Sequence, residues 1–333
     1  MGSMQNQRLL LALESTPGVP VTSGMKRPFG LKATPAWSVE GESFKGGGSK
    51  VATNRINNNV TGAPGVEVTP DYNGWTWAMT GAFGAPVSGA YEDSTVAHEH
   101  AFVLNKDAED TKATFTAVWG ESGATLQMPF FTFNGFGATI GRSSVTTTAS
   151  ALSSAPIPGV AMPSSATDVP AVPIAGRTWR VYIDDAWDDL GTAKNGGATG
   201  KVYEATINME GKYSQDLIVD ADVASFDDLI ESDSTTYTLS LNLGFKQVAL
   251  DMLGDFEEGA LKYIRLESVG PEIESGVNYR ATLDFCVVIT DPGQITTAPN
   301  SPSVVLPFNC ELHADPVTGN VAEATLINTV SSL

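Results

Sequence analysis

A chain of 333 residues, 42% apolar and 17% charged with 33 Gly and 19 Pro, has the make-up of a turn-rich globular protein built from short strands rather than helices, long enough for two domains. The formal net charge of -19 is uneven: residues 1–166 hold 12 acids and 10 bases, whereas residues 167–333 hold 26 and 9. A surface this acidic repels phosphate and argues against nucleic-acid recognition by groove reading or backbone clamping.

Met1-Gly2-Ser3-Met4 reads as vector-derived residues, 1–3, ahead of a second start. Leu9, Leu10, Leu11 and Leu13 form an apolar run stopped by Glu14, too short for a signal sequence or a membrane span. Thr16-Pro17-Gly18-Val19-Pro20 follows, and an apolar stretch running into Pro and Gly does not fold on itself. Residues 1–30 are therefore expected to be an N-terminal arm laid on something else.

From Leu31 to Thr69, alternating runs such as Trp37-Ser38-Val39-Glu40-Gly41 predict hairpins around a flexible loop, Lys45-Gly46-Gly47-Gly48-Ser49-Lys50. Asp71 to Gly84 has an acid at its start, Gly at its end and Tyr72, Trp75, Met79 and Phe83 at helical spacing, which predicts a short amphipathic helix. Strands are expected at 101–104, 114–119, 127–136 and 143–152. Residues 31–152 thus read as a first β domain with one flanking helix.

Residues 153–176 carry Pro156, Pro158, Pro163, Pro170 and Pro173, too many for a strand or helix, and are expected to be a linker. Beyond it, 177–333 reads as a second β domain, with strands at 178–183, 202–209, 237–245, 261–269, 279–290, 304–312 and 321–330. Lys246 to Gly259 predicts its helix, with Val248, Leu250, Met252, Leu253 and Phe256 on the apolar face, and 224–231 offers a further helical turn. Each half has a strand leading into a helix closed by Gly, a pattern of duplication. The fold class expected is mainly β, two tandem sandwich or barrel domains.

Catalytic signatures are missing: no G-x-S-x-G, P-loop, G-x-G-x-x-G or H-E-x-x-H occurs. His98 and His100 would share a strand face about 7 Å apart, a spacing that suits a transition metal or a pH-sensitive pair, but no third ligand is visible nearby and a polar strand face is the favoured reading. Asp184, Asp185, Asp188 and Asp189 could offer oxygens to calcium, yet lack the register of a known loop and suit a solvated hairpin tip better. Cys286 and Cys310 sit in apolar runs and read as reduced core thiols. The six Trp could form a sugar platform, although Trp75, Trp77, Trp119, Trp179 and Trp187 lie where packing is the commoner use. The chain reads as a non-enzyme without cofactors.

Glu14-Ser15-Thr16-Pro17-Gly18-Val19-Pro20, followed by the aromatic segment Tyr72, Trp75, Trp77, Gly81 and Gly84, resembles the tail tube (major tail) proteins of long-tailed bacteriophages. That resemblance implies a structural virion protein, assembled in the host cytoplasm, whose copies form stacked rings. Three chains would make a ring if each supplies two tube domains, and six otherwise. It also implies contacts with tape measure and tail terminator proteins, and an acidic lumen that passes DNA without specific binding. Leu9, Leu10, Leu11, Leu13, Pro17, Pro20, Trp75 and Trp77 are the assembly residues it implies, and no membrane is involved. The competing expectation is a virion-surface adhesin that binds glycans.

Overall fold

The computed structural model describes residues 8–44, 54–107, 111–121, 123–218, 225–232, 235–298 and 301–333. The Lys45 to Lys50 loop lies outside them. The chain opens with β1 (Arg8–Leu13), β2 (Lys26–Pro28) and β3 (Leu31–Thr34), then the hairpin β4 (Trp37–Phe44) and β5 (Asn54–Gly62). β6 (Gly65–Val68) leads into two single helical turns, α1 (Trp75–Ala78) and α2 (Thr80–Phe83). β7 (Val87–Ala90), β8 (His98–Asn105), β9 (Phe115–Glu121), β10 (Ala124–Gly141) and β11 (Val145–Ser154) follow. After β12 (Ile157–Pro158) and β13 (Thr167–Val169) come β14 (Trp179–Asp184), β15 (Val202–Glu210), β16 (Tyr213–Asp216), β17 (Asp228–Glu231) and β18 (Thr236–Gly244). α3 (Gln247–Glu258), β19 (Leu261–Glu274), β20 (Val277–Pro292), β21 (Thr296–Thr297), β22 (Val304–Leu312) and β23 (Asn320–Asn328) complete the order.

All strands except the β16–β17 hairpin are hydrogen-bonded into one barrel-like sheet system. β10 is its spine. Its first part, up to Phe131, pairs with β9, while its second part, from Gly135, lies between β11 and β15. The register shifts between Met128 and Phe131, where Phe130 has φ +54°, and again between Phe133 and Gly135; bulges of this kind turn a strand from one sheet into the next. β20 does the same at the far end, pairing with β19 along its length and on its other edge first with β23, then with β22.

Neither the sheet nor the core divides at 153–176. β10 pairs with β15, β8 with β23 and β2 with β13, each joining an earlier segment to a later one. One cluster of buried apolar side chains contains Trp75, Phe102 and Phe133 together with Leu241, Phe285 and Phe308. The Pro-rich segment itself contains β12 and β13, contrary to the expectation of a strandless linker. Both are very short, and Pro158 and Pro28 sit at strand ends, where a missing N–H costs least. The strands 114–119 and 178–183, which look alike in the two halves of the sequence, are also not placed alike: β9 lies between β1 and β10, whereas β14 pairs with β19.

The expected amphipathic helix at 71–84 is instead buried throughout and broken at Met79 into two turns. Its sides are covered by apolar residues, Gly and the hydrogen-bonded Thr76 and Thr80, so it fills the core instead of flanking it. Gly81 lets it approach β10: a Cβ there would stand 2.7 Å from Gly135 N and 2.8 Å from Phe133 Cβ. Gly84, with φ +84°, ends it. α3 does lie amphipathically over the sheet, with Val248, Ala249 and Met252 buried and Gly259 as a left-handed C-cap. Leu250, assigned to its apolar face, is instead exposed. The helical turn expected at 224–231 is replaced by β17, because Leu229 alternates inward against Phe130, Tyr213 and Phe226.

Candidate assembly and conduit surfaces

The Glu14 motif shapes the first surface. β1 is not an arm laid elsewhere: it pairs with the chain's own β9 from Arg8 to Leu13. Leu9 and Leu11 enter the main core and Leu10 a smaller cluster with Met25 and Val118, so both faces of the strand are buried. Leu13 is exposed. At the end of β1 the Glu14 side chain turns inward. Its Oε1 accepts the Thr116 hydroxyl at 2.9 Å and the Phe130 N–H at 3.0 Å, and its Oε2 accepts the Gly18 N–H at 2.8 Å. Gly18 has φ +77° and rests on the Phe130 ring, where a Cβ would come within 2.8 Å. Pro17, Val19 and Pro20 therefore project into solvent from a loop fixed at its base.

The second surface is the outward face of β11, the later part of β10, β15, β18 and β22. Thr148 stands opposite Gly137, Gly137 opposite Asn208, Asn208 opposite Thr238, and Thr238 opposite Glu311. One step along, Thr146, Thr139, Thr206, Ser240 and Asn309 form a parallel row. These strands contain no Lys or Arg, and Glu204, Glu210 and Glu311 are their only charged residues. Alternation supplies the pattern: apolar residues such as Phe136, Ile207, Leu239 and Cys310 point inward, and short uncharged polar side chains point outward. A hollow of about 290 Å³ lies where Gly137 faces Thr139, Thr146, Thr148, Thr206 and Asn208.

A third surface is rich in paired charges. On β14, β19 and β20, Glu267 lies between Arg180 at 3.6 Å and Arg280 at 4.0 Å, and Arg265 forms a two-point pair with Asp284 at 2.7 and 2.8 Å. Its edge on β14 is capped by the following loop, through Ile183 N–H to Ala193 O and Asn195 N–H to Val181 O. The four-residue β7 is different: among the described residues it pairs with β8 only, all its residues are exposed, and it carries no charge.

The two histidines do not act together. His100 is fully buried; its Nε2 donates to Val330 O at 2.8 Å, which leaves Nδ1 to accept the Ser88 hydroxyl at 2.8 Å. Both nitrogens are thus engaged by protein groups, while His98 is half-buried on the same strand. Burial pushes the His100 imidazole down to about 4. Among the described residues no group of three or more His, Cys, Asp or Glu is arranged to hold a metal ion. Asp184 caps its own loop, accepting Gly191 N–H, Thr192 Oγ1 and Ala193 N–H, and Asp185 pairs with Lys262.

Trp75 and Trp77 are completely buried and present no surface to a neighbour. Trp75 packs edge-on to Phe136 and donates its Nε1–H to Thr147 Oγ1 at 3.1 Å. Trp187 packs edge-on to Tyr263, and Trp37 is the exposed tryptophan, on β4. No family model matches this sequence, and no curated protein matches it. Among the described residues no helix is long and apolar enough to cross a membrane.

Proposed function

We propose that this chain is a structural subunit whose copies assemble into the stacked rings of a phage tail tube, with the base-free face turned to the lumen. The observation that carries the reading is that face. It is five strands wide, built of Thr, Ser, Asn and Gly, and bears three carboxylates without a cation. Duplex DNA adheres to proteins chiefly through cations that release its counterions, and a wall lacking them gives it nothing to hold. Of the chain's 38 acids, all but these three lie outside the five strands, four of them on α3 and three, Asp185, Asp188 and Asp189, in the loop after β14. On this reading the absence of bases matters more than an excess of acid.

Assembly is supported by the edges. β7 presents unpaired backbone groups without the charge or Pro that normally discourages strand addition, and a neighbouring copy would satisfy them. Pro17, Val19 and Pro20 on the Glu14-fixed loop offer a second contact. The ring would hold six chains if each supplies one position and three if each supplies two. Tape measure and tail terminator proteins would meet the finished tube, and the virion tail is its proposed location.

Negative-stain microscopy of the concentrated protein tests the reading. Rings or tubes with an open lumen are expected, and particles that remain monomeric across salt, pH and crowding would overturn it. Exposed Trp37 favours the competing adhesin reading. Glycan-array binding that disappears in Trp37→Ala would support an adhesin instead.

A further inference from the structure

Asp71 sits where three segments meet. The Tyr72 N–H donates to Val172 O at 3.0 Å and the Ile174 N–H to Pro70 O at 2.9 Å, so the strap 169–174 is bonded on either side of Asp71. The strap is also joined to the turn before β3, through Phe29 N–H to Val169 O at 3.0 Å, and that turn to the end of β6 through Thr69 N–H to Gly30 O at 2.7 Å. Asn73 Nδ2 adds a bond to Pro170 O at 2.8 Å.

The Asp71 side chain is fully buried in this junction. Its Oδ1 starts the helical turn by accepting the N–H groups of Asn73 at 3.0 Å and Gly74 at 2.7 Å. Among the described residues its Oδ2 finds no hydrogen-bond partner. It lies instead against two glycines, so close that a Cβ on Gly30 would be 1.7 Å away and one on Gly74 2.4 Å away. Contacts of this kind exclude water and do not neutralise a charge.

The charged groups on the surrounding segments have other partners. Arg27 pairs with Asp168 at 2.7 Å, Lys32 lies 3.7 Å from Glu67, and Lys26 donates to Ser332. Asp71 is the only charged residue in 71–84, and the Tyr72 hydroxyl is turned to Ser268 at 2.7 Å. No ion pair reaches Asp71 among the described residues. An ionised carboxylate with one oxygen buried and unpaired is costly, and protonation removes that cost.

We propose that Asp71 is a proton-operated latch: with the proton bound the junction of strap, turn and helix is closed, and ionisation loosens the strap 169–174. Burial pushes this carboxyl up to about 6, against the opposing pull of the Gly74, Asn73 and Val172 backbone groups. The folded value lies above the ordinary 3.8, so the folded chain keeps a proton that the unfolded chain releases. The latch's contribution is therefore complete below about pH 3.8 and is lost as pH rises through about 6. The latch is independent of the tube reading and applies to a single chain.

The test follows the Asp71 carboxyl carbon by NMR and amide exchange across 167–176 by mass spectrometry, between pH 4 and 8. Wild type should titrate near 6, and the strap's exchange, corrected for its intrinsic pH dependence, should quicken by roughly a hundredfold, the equivalent of about two units of displacement. Asp71→Asn should abolish that change. A carboxyl titrating at or below the ordinary range, or an unchanged pH response in Asp71→Asn, would overturn the latch. If the variant does not fold, the wild-type titration decides alone.

Discussion

Glu14 is bonded through its carboxylate to the backbone N–H of Phe130, 116 positions further along the chain, at 3.0 Å. Phe130 holds a positive φ at the bend of β10, and its ring carries both Gly18 and the Phe226 side chain of the adjoining hairpin cluster. One buried acid thus fixes the exposed Pro17–Pro20 loop to the strand that joins the sheets. Glu14→Ala should cost about 3 kcal/mol, because three donors lose a charged acceptor together. Glu14→Gln should cost less, since its carbonyl can still serve Thr116 and Phe130. Denaturant unfolding of the two variants checks the ranking.

His100 predicts a pH response opposite in sign to that of Asp71. Its folded value, about 4, lies below the ordinary 6.5, so the unfolded chain takes up the proton first. The stability held by neutral His100 is present above about 6.5 and is lost as pH falls through about 4. Between roughly pH 4 and 6 the two groups offset each other. His100→Gln should therefore raise acid stability relative to neutral stability, and Asp71→Asn should do the reverse, as read by melting temperature against pH.

The base-free face predicts a gain of function. Thr148→Lys combined with Thr206→Lys places cations on either side of Gly137 without touching the core, so stability should change by no more than about 0.5 kcal/mol per site. The variant should retain duplex DNA in a salt-dependent manner where wild type does not. Mobility shift at low and high salt measures this, and equal behaviour would remove the argument for an inert lumen.

Gly81→Ala should destabilise by about 1–3 kcal/mol, because the new methyl meets β10 backbone on both sides of Asn134 and the buried turn has no free direction in which to move. Thermal unfolding gives the answer directly.

The cysteines should be silent toward thiol reagents in the native state. Burial pushes Cys286 up to about 11 and Cys310 up to about 12, which leaves almost no thiolate at pH 8. Labelling with a chromogenic disulfide should occur only after unfolding.

Strands were the legible part of this sequence, because alternation of side chains is a local property: 304–312 was expected and β22 occupies the same positions. The helix at 247–258 was legible for the same reason, having both a periodic face and Gly259 to end it. The burial of 71–84 was not, since helical spacing of Tyr72, Trp75, Met79 and Phe83 reads alike whether one side or every side is covered. Partnering across 153–176 was invisible too, as no local pattern tells β10 that β15 lies beside it. The base-free face was written in the sequence, in five segments without Lys or Arg, but became a surface only once their order in the sheet was known. Glu14 stands in a legible motif, while its inward turn depends on donors from Thr116 and Phe130 far along the chain.

The bent β10 has a mechanical consequence. Its 18 residues are shared between ladders on both sides of the bend, so load applied to one sheet passes along covalent backbone into the other. The halves cannot slide apart as beads on a string; pulled from its ends, the chain has to shear a ladder before it yields. Stretching single molecules should accordingly give one high force peak for the whole chain instead of two lower ones.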